Sequence, residues 1–306
     1  MDTKLTGKTR IESDLIGARE IPAEALYGVQ TLRGIENFSI SKFRLSEYPL
    51  FIKGLAITKM AAAMANFELG LLTVEQKDAI IAACGEILDG KHHDQFPVDM
   101  IQGGAGTTTN MNANEVIANR ALELMGHERG EYQYCSPNDH VNCSQSTNDA
   151  YPTAIHIGMY FKHLQLLPHL EELIASFRKK GEEFSQIIKM GRTQLEDAVP
   201  MTLGQTFNGF ASILQDEIAH LNEAAADFLV VNMGATAIGT GICAEPGYAE
   251  KCIAALREIT GWDIRLSSDL VGATSDTSCL VGYASAMKRV CVKMNKICND
   301  LRLLAS

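Results

Sequence analysis

The chain has 306 residues, of which 46% are hydrophobic, so it can bury a large core and more than one domain is expected. Its 27 basic and 37 acidic side chains give a net charge of −10. Because no basic run interrupts this acidic balance, we expect no nucleic-acid or anionic-membrane partner. No uninterrupted apolar run reaches the roughly 18 residues of a membrane span, and residues 1–15 lack the apolar core of a signal peptide.

The eight cysteines form neither a CxxC pair nor a zinc-like spacing. Most lie in apolar surroundings, which favours reduced, buried thiols and a cytoplasmic protein. The neighbouring His92, His93 and Asp94 lack the i, i+4 spacing of helical metal ligands. The sequence therefore predicts no metal site.

The first part of the chain alternates short helical patterns with loops. Residues 48–70 predict an Ala- and Met-rich helix, and residues 73–90 predict a second helix that ends at a glycine. We expect a mixed, mostly helical N-terminal domain over residues 1–139.

Three very long helical patterns follow from residue 150 onward. Their apolar residues recur at steps of three, four and seven, first over residues 160–188, then over 207–228, and last over 280–301. Thr202 and Gln205 have capping-box spacing ahead of the second pattern. Such stripes are typical of a core, and they predict a mainly helical fold with a long-helix bundle over residues 140–306. The last pattern has no Gly or Pro stop, so we expect a truncated bundle.

Three polar segments interrupt these patterns. The first, residues 102–115 (QGGAGTTTNMNANE), places glycines that allow close backbone approach ahead of neutral hydroxyls and amides. It lacks the Lys-Ser/Thr pair of a P-loop, and Thr109 replaces the third glycine of a dinucleotide motif. A capped glycine-rich turn is the alternative interpretation.

The second segment, residues 140–153 (HVNCSQSTNDAYPT), crowds six polar side chains ahead of a helical pattern. A helix N-terminus favours an anion, and Ser146, Thr147 and Asn148 would add donors to it. Redundant capping is the alternative, although six adjacent polar residues exceed what a cap requires.

The third segment, residues 189–205, offers Thr193 and Gln194 as neutral donors. Arg192 with Glu196 or Asp197 predicts a structural ion pair, and an ordinary interhelical loop is the alternative. Together the segments predict a site of neutral hydroxyls, amides and helix ends. No metal cage or Ser-His-Asp set is evident.

At these segments the chain resembles the aspartase/fumarase superfamily, most strongly its aspartase branch. The stretches that carry the resemblance are GAGTTTNMNANE, HVNCSQSTNDAYPT, MGRTQLEDAVPMTLGQ, LYGVQTLRGIENF, DQFPVDMIQGGAG, GEYQYCSPNDH and VNMGATAIGTG. The resemblance covers essentially the whole chain. It implies a homotetramer with a mixed N-terminal domain, a central helix bundle, a small C-terminal domain, and active sites shared between subunits. By this resemblance we expect the C-terminal domain to be absent from these 306 residues.

The reaction that the resemblance implies is anti-elimination of ammonia from L-aspartate to give fumarate, through an enediolate. Donors aimed at the enediolate would act as an oxyanion hole. By motif, Thr107, Ser146 and Thr147 would hold the β-carboxylate. The resemblance places Asn148, Thr193 and Gln194 around the leaving amino group. Arg33 matches an arginine that is associated with the site of the family's aspartase branch. No organic cofactor is implied, and Mg²⁺ activation would act away from the chemistry.

The family's catalytic serine lies in a Gly-Ser-Ser loop that is expected shortly after LRLLAS, so no catalytic base is expected in this chain. We expect the chain by itself to be inactive. Fumarate hydratase is the alternative, but fumarases usually carry Thr-His at Thr193 and Gln194, and Ser-Ser-Asn at residues 146–148. Argininosuccinate and adenylosuccinate lyases resemble the N-terminal half less. A non-catalytic helical scaffold is the alternative if the chain naturally ends at Ser306.

Overall fold

The computed structural model of the chain describes residues 7–306. The chain divides into two compact units. The first contains the described residues up to Met159 together with Leu229–Asp276, and the second contains Tyr160–Phe228 and Thr277–Ser306. Both units are built mainly from helices, which confirms the predicted fold class. The domain boundary expected after residue 139 stays a prediction.

The first unit combines short strands with helices of moderate length. Its elements are β1 (Thr9–Asp14), β2 (Gly17–Pro22), α1 (Val29–Asn37), α2 (Pro49–Glu68), α3 (Val74–Leu88), α4 (Thr107–Leu124), the start of α5 (Thr147–Glu183), β5 (Val230–Val231), α7 (Tyr248–Thr260), β6 (Arg265–Leu266) and α8 (Leu270–Ser275). Strands β1 and β2 form an antiparallel hairpin, whereas β5 and β6 pair in parallel.

Helix α2 is the centre of the first unit's core. It starts with a proline at its first position, where the missing N–H costs nothing, and its middle is buried on nearly every side. It packs against α3, α4 and α7. By length and composition alone α2 could cross a membrane, but 67% of that stretch is buried, so this is weak evidence for a span. Helices α2 and α3 confirm the two helices predicted from residues 48–90.

Helices α2 and α5 approach each other closely where both lack side chains. A Cβ added at Gly54 would lie 2.3 Å from the backbone oxygen of Ala154. A Cβ added at Gly158 would lie 3.1 Å from the Cα of Phe51. This backbone-to-backbone crossing fixes the first turns of α5 against the core.

Helix α1 is capped by a residue distant in sequence. Its N-cap, Gly28, has no side chain, and the carboxylate of Glu115 in α4 accepts hydrogen bonds from the backbone N–H groups of Gly28, Gln30 and Thr31 at 2.8–3.0 Å. The hydroxyl of Thr31 donates to the same carboxylate at 2.6 Å. Glu115 therefore satisfies most of the free donors that begin α1.

The second unit contains the long helices. Besides residues 160–183 of α5, it holds β3 (Ile188–Thr193), β4 (Glu196–Thr202), α6 (Leu203–Ala226) and α9 (Ser278–Leu304). The predicted capping box of α6 is confirmed, because Thr202 and Gln205 exchange hydrogen bonds. Helices α6 and α9 pack together and share an ion-pair cluster of Glu217 with Arg289 and Lys293.

The third polar segment is a β-hairpin between α5 and α6, whereas the alternative interpretation of the sequence was an ordinary interhelical loop. Strands β3 and β4 are joined by a two-residue turn in which Gln194 has φ 52° and Leu195 has φ 67°. Positive φ at both central residues matches the right-handed twist of the paired strands. The first long helix accordingly ends at Glu183, and Ile188, predicted to extend it, begins β3.

Candidate functional site

The first turn of α5 lies within the second polar segment, as predicted, and two of its residues make the cap. The hydroxyl of Ser146 accepts a hydrogen bond from the backbone N–H of Asn148 at 3.2 Å. The backbone N–H of Ser146 donates to the carboxylate of Asp149 at 2.9 Å. This reciprocal pair caps the helix. The other polar residues of the segment have different partners.

Asp149 also connects the loop that contains Gly234 and Thr236 to the start of α5. It is fully buried and accepts hydrogen bonds from the backbone N–H groups of Gly234 and Thr236 at 3.1 and 2.9 Å. Burial raises the pKa of Asp149 to about 6, against the hydrogen bonds that lower it. The Asn148 amide adds a bond of 2.7 Å to the backbone oxygen of Ala237. These contacts explain why the stretch VNMGATAIGTG accompanies the second segment.

A buried lysine that the sequence reasoning missed lies behind the second polar segment. Lys59 of α2 is 0% exposed, and its ammonium donates to Oδ1 of Asn142 at 2.9 Å and to Oε1 of Gln145 at 2.8 Å. Burial lowers the pKa of Lys59 to about 7, an effect that the negative charge of Asp149 opposes. A lysine in the middle of an Ala-rich apolar helix was the available sequence signal.

The asparagines of the first polar segment lie inside α4 rather than ahead of it, and their side chains form hydrogen bonds with other residues of the chain. The Asn110 amide donates to Oδ1 of Asn142 at 3.1 Å and to the hydroxyl of Thr147 at 3.2 Å. Asn114 donates to the same Asn142 oxygen at 3.2 Å, and Asn112 donates to the backbone oxygen of Gln95 at 2.9 Å. The Asn110 contact brings the first turns of α4 and α5 together.

Thr107 and Arg33 line one cleft of about 700 Å³. Thr107 is exposed at the start of α4, and its hydroxyl donates to the backbone oxygen of Gly104 at 2.6 Å. Arg33 is engaged within the protein, since its guanidinium makes two hydrogen bonds of 2.9 Å to the carboxylate of Asp14. The guanidinium lowers the pKa of Asp14. A ligand carboxylate would have to compete with Asp14 for Arg33.

Ser146 lines a second cleft, of about 680 Å³. Ser144, Gln145, Thr236 and Ala237 are among the other residues on its wall. Both clefts border Asn138, which belongs to the single π-helical turn Pro137–Val141. The structure therefore groups Thr107, Ser146, Thr147 and Asn148 around the starts of α4 and α5, in the first unit.

Thr193 and Gln194 belong to the second unit. Thr193 ends β3 and Gln194 begins the turn, and both are exposed. The predicted ion pair is confirmed for Arg192 and Asp197, with Nε and Oδ1 at 3.0 Å. The roles of Thr193 and Gln194 in a site stay predictions.

The described residues contain no group of three or more His, Cys, Asp or Glu side chains that could hold a metal ion. All eight cysteines are free. Cys84, Cys135 and Cys252 are buried as expected, but Cys243, Cys291 and Cys298 are exposed.

Comparison with known proteins connects these segments to one family. A family described as "Lyase" matches residues 17–306. The aspartate ammonia-lyase of Pseudomonas canavaninivorans is 55% identical over 298 residues, which are 97% of this chain and 63% of that protein. The aspartate ammonia-lyase of Escherichia coli K12 is 53% identical over 303 residues, again 63% of its length. The chain thus spans about 63% of the length of these curated relatives.

Solved structures agree with the fold. The fumarate lyase:delta crystallin from Brucella melitensis bound to cobalt has a TM-score of 0.96 at 51% identity, covering 98% of this chain and 65% of that one. The class II fumarase from Schistosoma mansoni has a TM-score of 0.93 at 32% identity, covering 98% of this chain and 66% of that one.

Proposed function

Because the chain belongs to the lyase family that matches residues 17–306, we propose that it is the larger part of an enzyme that eliminates ammonia from L-aspartate to give fumarate. Here the full-length enzyme means this chain continued through the portion of its relatives that it does not span. One observation carries the choice of substrate, namely the 53–55% identity to two aspartate ammonia-lyases over 97–99% of the chain.

The arrangement of neutral donors supports an elimination that passes through an enediolate. Removal of the Cβ proton places a second negative charge on the neighbouring carboxylate, and that charge makes up most of the barrier. Donors already aimed at the carboxylate stabilise the charge without reorganising, and one such donor typically contributes about 3–4 kcal/mol. Hydroxyls and amides suit this task because their protonation does not change as the charge develops.

In this proposal the hydroxyls at the starts of α4 and α5 hold the β-carboxylate. These are Thr107, Ser146 and Thr147. The positive end of the 37-residue helix α5 favours an anion at the same place. The base that removes the proton, a serine by resemblance, comes from the portion beyond Ser306.

We assign the surroundings of the leaving amino group to Asn148, Thr193 and Gln194. Asn148 is held by its bond to the backbone oxygen of Ala237, a residue on the wall of the second cleft. Arg33 takes part only if a ligand displaces Asp14 from its guanidinium. Thr193 and Gln194 are exposed at the tip of the β3–β4 hairpin, which is an accessible position for a ligand contact.

We further propose a homotetramer in the cytoplasm, without nucleic-acid or membrane partners. The exposed apolar residues of α9, which include Val281, Val292 and Leu303, support burial against other subunits. The free thiols support a reducing compartment. The proposed reaction needs no organic cofactor, and activation by Mg²⁺ is tested by adding the ion to an assay of metal-stripped enzyme.

Fumarate hydratase is the second candidate, since the class II fumarase shares the fold at 32% identity. Gln194 favours the lyase, because fumarases usually carry histidine there. A non-catalytic scaffold is the third candidate.

The test is to give the full-length enzyme L-aspartate and L-malate in parallel, and to follow fumarate by its ultraviolet absorbance and ammonia by a coupled assay. We expect fumarate and ammonia from L-aspartate in equal amounts. Conversion of L-malate without any reaction of L-aspartate would support the hydratase instead. No reaction with either substrate would support the scaffold.

A further inference from the structure

Lys59 gives the hydrogen bonds behind the second polar segment a fixed direction. The ammonium form of Lys59 donates hydrogen bonds and accepts none, and its neutral amine form still has two N–H donors for the same two contacts. Its two partners, Asn142 and Gln145, must therefore turn their amide oxygens toward Nζ, at 2.9 and 2.8 Å. The buried lysine decides the orientation of two amides that could otherwise face either way.

The same direction passes from Asn142 to α4. Because Oδ1 of Asn142 is an acceptor, Asn110 and Asn114 must present their NH₂ groups to it, at 3.1 and 3.2 Å. The other end of the Asn142 amide donates to the backbone oxygen of Gln145 at 3.2 Å. Lys59, Asn110 and Asn114 thus all donate to one amide oxygen. The contact with this oxygen fixes which way each of the two asparagine amides faces.

The chain of bonds ends at Thr147. The Asn110 NH₂ group donates its second hydrogen to the Thr147 hydroxyl at 3.2 Å, so this hydroxyl oxygen is an acceptor toward the protein. No described residue accepts the hydroxyl proton in return. The proton is left for a ligand at the start of α5.

An opposite orientation would remove that donor. Oδ1 of Asn110 is buried and has no hydrogen-bond partner among the described residues. If the amide turned over, this oxygen would face Thr147, gain a partner and take the hydroxyl proton. The turned state would satisfy a buried acceptor, so something must hold the amide in the observed state. The N–H donors of Lys59 do this through Asn142.

We propose that Lys59, Asn142 and Asn110 form a directional hydrogen-bond relay that keeps the hydroxyl proton of Thr147 available to the substrate carboxylate. Lys59 and Asn110 are then positioning residues that act through Thr147 and touch no substrate themselves. The inference rests on the proposed function, in which Thr147 stabilises the enediolate. It explains why the first and second polar segments occur together in one chain.

The test is a double-mutant cycle in the full-length enzyme. Asn110→Asp keeps the shape of the side chain but replaces the donor with an acceptor, which would take the Thr147 proton. We expect this variant to lower kcat for L-aspartate by about 10²-fold, as loss of an oxyanion donor does. In a Thr147→Ala background the same substitution should lower kcat by less than about threefold, because there is no hydroxyl left to orient.

Asn112→Asp is the matched control. It makes the same substitution in the same helix at a position that is also 0–1% exposed, but Asn112 donates to Gln95 and not to the relay. Activity per folded molecule should stay within about threefold of wild type. Lys59→Met, neutral and similar in length, covers the case in which a new buried carboxylate prevents folding. Its loss of kcat should likewise disappear in the Thr147→Ala background. The loss should persist in a Thr147→Ser background, because serine keeps the hydroxyl.

Equal losses from Asn110→Asp and Lys59→Met with and without the Thr147 hydroxyl would overturn the relay, since a merely structural role predicts additive effects. Unchanged kcat in both variants would overturn it as well. An active wild type with an additive cycle overturns the relay alone. A wild type that does not convert L-aspartate overturns the proposed function and the relay together.

Discussion

The close crossing of α2 and α5 makes Gly54 a sensitive position, and we expect Gly54→Ala to destabilise the full-length enzyme and to disturb its site. The added Cβ would lie 2.3 Å from the backbone oxygen of Ala154. Backbone cannot rotate out of the way as a side chain can, so the two helices must separate by about 1 Å to restore an ordinary contact. The first turn of α5, with Thr147, would move with them.

Two opposing terms set the size of the effect. Alanine is better than glycine in a helix interior by about 1 kcal/mol. Overpacking a core typically costs about 1–3 kcal/mol, and a clash with backbone belongs at the upper end. The net loss is about 2 kcal/mol. For a domain of roughly 150–250 residues this corresponds to a fall of roughly 4–8 °C in the unfolding midpoint. A displacement of about 1 Å in a catalytic group lowers the rate by on the order of 10²-fold.

Gly85→Ala in α3 is the matched control, because a Cβ there meets nothing within 4 Å. The same substitution should then leave only the helix-propensity gain and raise the midpoint slightly. Thermal unfolding followed by circular dichroism measures both variants, and aspartate turnover measures the site. If Gly54→Ala unfolds at or above the wild-type temperature with full activity, the crossing does not fix α5 as described.

Three further outcomes are expected. Arg120 and His92 hold the pKa of Glu86 at about 2, below the usual 4.5, so this carboxylate adds stability above pH 4.5 that is lost as the pH falls toward 2. Urea unfolding should show that Glu86→Gln costs about 1–2 kcal/mol at pH 7, after allowance for solvent screening, and progressively less in acid. Thr202→Ala should cost about 1 kcal/mol by removing the cap of α6, whereas Thr202→Ser should cost much less. The 306-residue chain by itself should not convert L-aspartate, and mixing it with a segment that matches the portion of its relatives that it does not span should give turnover.

Each of these outcomes has a result that would contradict it. A Glu86→Gln penalty that stays constant from pH 7 to acid would show that the ion pairs do not depress the pKa. Equal stability of Thr202→Ala and wild type would remove the cap as a determinant of α6. Turnover by the isolated chain near the full-length rate would require a base within the described residues.

The helices could be predicted because their signals are local. Periodic apolar residues and a capping box act within a few turns, so residues 48–90 and the start of α6 read correctly from sequence. The β3–β4 hairpin could not be predicted in the same way. Its turn uses Gln194 and Leu195 in left-handed conformations, without the Asn-Gly pair that usually marks such a turn.

The polar segments predicted where the site's hydroxyls lie, but not how they are held. Lys59 and Asn142 are 83 residues apart, and Arg33 in α1 is 19 residues from Asp14 at the end of β1. Hydrogen bonds between distant residues depend on the fold and leave no periodic trace. For the same reason the buried asparagines of α4 looked like ligand donors in the sequence, although in the structure they orient one another and Thr147.

The cap of α1 has a consequence for the order of events during synthesis. Gly28 and Glu115 are 87 residues apart, and chains grow at ~5–20 residues per second, so the start of α1 is synthesised roughly 4–17 s before its capping carboxylate is made. A helix of nine residues is too short to persist alone in water. The segment that carries Arg33 must therefore wait, unstructured, until α4 emerges and provides its cap.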